Sequence, residues 1–125
     1  MYQTDFCHIE YLKDIDAVLC TWKQFCQGDS YRDPLRYGLA LLNEKECQNW
    51  ITDTTNGFEN SPEDTAWLLN EFIPKTIESS CKKLFFIIEP DSPIKDEIES
   101  QAEALRKFFT VHLCKNMDAL KVQLS

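Results

Sequence analysis

The sequence predicts a single α/β domain spanning residues 1–125, in which an opening antiparallel hairpin and strands joined by helical crossovers make a mixed sheet in the order ββαβαβαβα. Three observations lead there. Short β-branched and aromatic runs alternate with longer amphipathic segments. Two such runs open the chain with only a short charged break between them. Residues 17–22 and 84–88 are almost unbroken apolar stretches, as expected of strands covered on both faces. A chain of 125 residues has length for one core.

In chain order, residues 6–12 and 17–23 read as an antiparallel hairpin closed by Lys13, Asp14, Ile15 and Asp16. Gly28, Asp29 and Ser30 break the pattern. A helix then begins either at Ser30, with Asp33 three residues on, or at Asp33, with Pro34 in the first helical position. Tyr31, Leu35, Gly38, Leu39 and Leu42 form its inward stripe. Glycine inside a helix costs roughly 1 kcal/mol relative to alanine, so Gly38 is expected where backbone must approach another element closely. Residues 47–53 follow as a strand, set parallel to the second strand by a right-handed crossover.

The next helix runs from Pro62 to about Ser79, with Leu68, Leu69, Phe72, Ile73, Thr76 and Ile77 on one face and Trp67 directed away, beside Asn70 and Pro74. Pro74 removes a ladder hydrogen bond mid-helix and is expected to kink or divide it. Residues 83–89 form a central strand, and Pro90, Asp91, Ser92 and Pro93 a stiff turn. Ile94, Ile98, Ala102, Leu105 and Phe108 mark a third helix; residues 109–113 a short last strand; Met117, Leu120 and Leu124 a closing helix.

Composition narrows the function. Thirteen Lys and Arg against 21 Asp and Glu give a net charge of −8, a field that repels phosphate backbones and anionic lipid. Nucleic acid is therefore not an expected partner, and the modest basic pairs are Lys82 with Lys83 and Arg106 with Lys107. No apolar stretch approaches the roughly twenty residues of a membrane helix, and no export signal is recognisable, so a cytoplasmic protein without integral membrane association is expected. The six cysteines include no CxxC pair and are expected as reduced thiols. Cys7 with His8 and His112 with Cys114 lack zinc spacing. His8 and His112 sit in strand-like runs and read as structural, and no nucleophile, metal or nucleotide motif occurs, so neither catalysis nor a cofactor is expected. Trp22 and Trp50 read as core.

The most informative stretch joins the strand ending at Asp53 to the helix starting at Pro62. Ser61, Pro62, Glu63 and Asp64 form the strongest helix start in the chain, with a capping hydroxyl, proline at the first position and an acid that can reach back. Asp53, Thr54, Thr55, Ser61, Glu63 and Asp64 thus converge where open α/β sheets place their sites. One reading makes this a recognition site, with Thr54 and Ser61 as candidate phospho-acceptors beside a positive helix end. The other makes Ser61 an ordinary cap and the rest a solvated turn. Phe58 and Trp67 either present an aromatic surface to a partner or cover one another.

With these residues in view, the chain resembles the STAS-like domains of bacterial anti-sigma-factor antagonists, and more closely a small bacterial group of that fold. The resemblance is carried by residues 18–23, by the strand Asn49–Asp53, by Ser61, Pro62, Glu63 and Asp64 followed by Trp67 and Leu68, by Pro74, and by residues 83–90. It implies a mixed sheet of four or five strands with its helices on one side. It also implies that a serine or threonine directly after an aspartate at the end of the third strand is phosphorylated by a partner kinase, which switches binding off. Thr54 after Asp53 occupies that place. Residues 55–60 are an insertion relative to the family's tight loop, leaving Thr54 and Ser61 as competing acceptors. The fold group is also similar in topology to the longer CRAL-TRIO lipid-transfer domains. The expected function is a non-enzymatic regulatory domain that binds a protein partner through residues 54–67, with Asp53, Thr55, Phe58 and Trp67 in contact. The alternative is a small apolar or lipid-like ligand held by Phe58, Trp67, Phe72 and Pro74.

Overall fold

A computed structural model describes residues 2–56 and 61–124. Six strands form one sheet in chain order: β1 (Tyr2–Gln3), β2 (Cys7–Leu12), β3 (Ala17–Trp22), β4 (Asn49–Asp53), β5 (Lys83–Ile87) and β6 (Thr110–Cys114). β1 with β2 and β2 with β3 pair antiparallel, and β3 to β6 run parallel. The α/β class and mixed sheet agree with expectation, but the strand count is six and the order becomes βββαβαβαβα. The added strand is β1, only two residues long, which pairs Tyr2 with Ile9 and Gln3 with His8. It has no run of apolar residues to announce it. Thr4 makes the turn behind it, its Oγ1 accepting the N–H groups of Phe6 and Cys7, each at 3.1 Å.

Alternation along the strands divides the interior in two. Cys7, Ile9, Val18, Cys20, Trp50, Leu84 and Phe86 face the side covered by α1 (Asp29–Lys45), by the second helical rod and by α4 (Lys95–Leu105). Ala17, Ile51, Phe85 and Ile87 face the other side, where Leu120 of α5 (Met117–Leu124) closes over them. Helices therefore lie on both faces, which corrects the one-sided layout. The physical reason is that β4 and β5 are central and apolar in both phases: Ile51 and Phe85 are as fully buried as the residues opposite, so they need a cover of their own. Among the described residues, no helix is long and apolar enough to cross a membrane.

α1 starts at Asp29, ahead of both expected positions, and Pro34 sits inside it. No side chain caps this end. Gly28 instead takes φ 67° and ψ −137°, a conformation that a side chain disfavours, and turns the chain into the helix. Gly38 has the role expected of it. A Cβ there would overlap Cη2 of Trp50 and lie 2.8 Å from its Cζ3, so the glycine lets α1 lie directly on the indole.

The second rod is divided just before Pro74. It comprises α2 (Pro62–Trp67), a π-helical turn (Leu68–Phe72) and α3 (Ile73–Ile77), with Ile73 N–H bonded back to the Leu68 carbonyl. In a regular helix the proline ring would meet the carbonyl four residues back, and a widened turn relieves that collision. The extra residue also delays the helical rotation. Leu68, Phe72, Ile73 and Thr76 stay inward, while Leu69 and Ile77, expected on the same face, are 48% and 42% exposed.

Replacing Gly38 by alanine separates these effects. Helix propensity alone would stabilise by about 1 kcal/mol, but overpacking costs about 1–3 kcal/mol. Chemical denaturation of Gly38→Ala is expected to show a net loss of roughly 1 kcal/mol or more, and the same change is expected to cost less when made in a Trp50→Phe background, measured against that single variant.

Candidate functional site

Strand β4 delivers its last residues to the junction with distinct roles. Asp53 is half-buried, and its Oδ1 accepts the Thr55 N–H at 3.0 Å, a local turn. Thr54 is buried. Its N–H and its Oγ1 both donate to the Ile87 carbonyl, at 2.9 and 2.7 Å, so this residue extends the parallel ladder rather than offering a hydroxyl to solvent. Thr55 is exposed. The expectations placed on Phe58 lie outside the described residues. At the start of α2, Ser61 Oγ accepts the Asp64 N–H at 3.2 Å, the expected cap.

The acid of that helix start reaches back to the Ser61 hydroxyl and also across to α1. Asp64 is 1% exposed and points across the junction. Its Oδ2 accepts the N–H of Gly28 at 2.9 Å and the Ser61 hydroxyl at 3.0 Å, and its Oδ1 accepts Nε–H of Arg32 at 2.9 Å. Burial pushes this carboxyl up, but the Gly28, Arg32 and Ser61 hydrogen bonds together with the Arg32 charge outweigh it and hold the group below the usual aspartate range. One carboxylate thereby ties the first turn of α2 to the start of α1.

The tie sets the position of Trp67, one turn further along. The indole does not face away from the core as expected. It is half-buried against α1, edge-on to Tyr31 at 6.3 Å and tilted against Phe72 at 5.9 Å. The Arg32 and Arg36 guanidinium carbons lie 5.5 and 5.3 Å from the ring centroid, within cation–π range. Beside it, between α1 and the second rod, opens a groove of about 350 Å³ lined by Arg36, Leu39, Ala40, Asn43, Trp67, Glu71, Phe72 and Lys75. Its polar groups come from both walls. Asp33 accepts from Arg36 Nη1 at 2.8 Å and so fixes the outer guanidinium.

Beneath Phe72 lies a second space, lined among others by Trp22, Tyr31, Trp50, Leu84 and Phe86, with a volume of about 40 Å³. Cavities that take up benzene are on the order of 150 Å³. This interior is too small for a lipid chain. Of the residues assigned to an apolar ligand, Trp67 and Phe72 come together, while Pro74 is exposed and lines neither space.

The sequence reading missed Arg32, Arg36 and Lys75. Arg32 and Arg36 are four apart on α1 and therefore share a face, a signal that was available, but what they face is known only once Asp64 joins the two helices. The six cysteines are free and buried. The Cys7 and Cys20 sulfurs lie 3.6 Å apart. Burial pushes the Cys26 thiol up to about 11 and that of Cys81 up to about 12, so Cys26 and Cys81 are protonated at neutral pH. Among the described residues, no three His, Cys, Asp or Glu side chains converge as metal ligands would. Comparison with known protein families, with curated proteins and with solved structures finds no match.

Asp64→Ala is expected to cost about 3 kcal/mol, the lower end for breaking a buried pair, because Arg32 is partly exposed and can turn to water. The pH dependence has a definite sign. A carboxyl held below its unfolded value stabilises fully above about pH 5 and loses that contribution as pH falls through its folded value. The stability gap between wild type and Asp64→Asn is therefore constant near neutrality and narrows below about pH 4, as read by urea titrations across the range.

Proposed function

We propose that this chain is a non-enzymatic, cytoplasmic regulatory domain of STAS-like character that binds a protein partner across the junction between β4 and α2 and the adjoining α1 groove. One observation carries the reading: Trp67 is partly exposed, clasped by Arg32 and Arg36, and opens onto a groove whose walls are fixed in advance by Asp64. An indole and guanidinium groups held in place before binding are the components that dominate protein interfaces, because little side-chain entropy remains to be lost. The open, mixed-polarity groove suits a protein surface, whereas the interior space of about 40 Å³ suits no lipid-like ligand.

Control by phosphorylation follows from the same geometry. Thr54 would have to leave the ladder to be modified. Ser61 is the better placed acceptor, being only partly buried at a helix start. A phosphate there adds about −1.5 to −2 charges next to a carboxylate, and its attachment atom lies 3.0 Å from Asp64 Oδ2. Repulsion at that distance loosens the Gly28 and Arg32 tie and withdraws support from Trp67.

Quantitative affinity capture from the source cell, with folding of each variant checked by circular dichroism, tests the proposal. A specific partner is expected with wild type and with Val122→Ser, a change at an exposed position on α5. The same partner is expected to drop by about tenfold or more with Trp67→Ala and with Ser61→Asp. Equal recovery from all four proteins would contradict the reading.

A further inference from the structure

Two basic pairs far apart in sequence, Lys82 with Lys83 and Arg106 with Lys107, meet at one corner of the sheet. Lys83 stands opposite Thr110 in the β5–β6 register, and Thr110 N–H donates to the Lys82 carbonyl at 3.1 Å. Residues 106 and 107 come shortly before Thr110 and therefore arrive at the same strand ends. Arg106 holds the exposed Glu103 at 2.8 Å, whereas Lys82, Lys83 and Lys107 form no ion pair among the described residues. Phe108, directly beside them, is 57% exposed. In a chain of net charge −8, positive charge and an uncovered aromatic ring coincide here.

Along this corner runs the free edge of β6. Among the described residues the strand pairs only with β5, through Thr110 N–H at one end and the Cys114 carbonyl, which accepts from Ile88 N–H at 2.9 Å, at the other. In a parallel ladder alternate residues bond to the same neighbour, so the N–H and C=O groups of Val111 and Leu113 point outward. Thr110–Cys114 contains no proline, lysine or acid, three residue types that commonly protect an edge against pairing. At the opposite edge β1 is two residues long and offers little to pair with.

We propose that the free edge of β6 accepts an extended, acidic segment of a partner protein as a seventh strand. The outward groups of Val111 and Leu113 bind its backbone, and its acidic residues lie at the end next to Lys82, Lys83 and Lys107. Main-chain pairing supplies attachment and charge sets direction and choice of partner. A second copy of this chain is the competing occupant, since antiparallel pairing would bring the basic corner toward the end that carries Lys115 together with Glu89 and Asp118. A dimer in sedimentation velocity that is lost in Leu113→Pro would overturn the proposal in its favour. This surface lies apart from the Trp67 groove and stands independently of it.

The test uses the full chain and a short fluorescein-labelled peptide of alternating valine and threonine ending in a glutamate triplet, with a lysine-ended counterpart. Fluorescence anisotropy is expected to show the acidic peptide binding about tenfold or more tighter, with the preference reversed in Lys82→Glu, Lys107→Glu. Leu113→Pro removes one outward N–H while leaving the β5 ladder intact, and is expected to weaken binding about tenfold. On the wild-type protein, the peptide is expected to slow hydrogen exchange at Val111 and Leu113, a readout that does not depend on any variant folding. Equal binding of the two peptides, or unchanged exchange at Val111 and Leu113, would overturn the proposal. Binding of phosphatidylserine vesicles with no peptide bound would overturn it too and assign the corner to a membrane surface.

Discussion

The buried Asp64 carboxylate is the constraint on which the described junction depends. A charge taken out of water is tolerated only when its lone pairs are satisfied and a counter-charge is near. Here the Gly28 N–H, the Ser61 hydroxyl and Arg32 do this together, and they come from two places in the chain, the start of α1 and the start of α2. Because those donors must converge on one group, the start of α1 and the start of α2 have little freedom relative to each other. The uncapped, glycine-led start of α1 becomes intelligible in the same terms. Gly28 lends its N–H to a carboxylate on another helix instead of receiving a cap from its own segment.

From that tie a chain of aromatic contacts runs into the core. Trp67 meets Tyr31 and Phe72, Tyr31 stacks on Trp22 at 5.2 Å, and Phe72 meets Trp50 edge-on at 5.6 Å. Trp50 in turn lies under Gly38, where α1 comes closest to the sheet. The half-exposed indole is thus the outer end of a packed series rather than a loose surface residue. The π-turn belongs to the same arrangement, since it places Phe72 beneath Trp67 while accommodating Pro74. Rigid support of this kind lowers the entropy lost when a partner arrives, which makes the groove suited to recognition.

Much of the fold was legible because it rests on local rules. The opening hairpin, the central strands and the spacing of Leu35, Gly38 and Leu42 follow from periodicity and turn residues that each segment carries within itself. Features that arise between segments were less legible. β1 is too short to show a pattern and exists because β2 presents an edge to it. The cover supplied by α5 reflects apolar residues in both phases of β4 and β5, which a one-sided layout leaves exposed. Leu69 and Ile77 were misassigned because a regular rotation was assumed across Pro74. At the site, the Ser61 cap was readable, but the destination of Asp64 was not, since its partners lie in a helix that precedes it by some thirty residues. The basic corner is a similar case: each pair looks minor alone, and only the β5–β6 register joins them.

The account is tested most directly by a carboxyl-detected NMR titration of Asp64 that follows the Gly28 amide proton in the same samples. One shared transition is expected for both nuclei, with a midpoint clearly below the ordinary aspartate value of about 3.9. A Gly28 amide that ignores the carboxyl, or an Asp64 midpoint at or above that value, would show that the two helix starts are not joined through this group and would contradict the account.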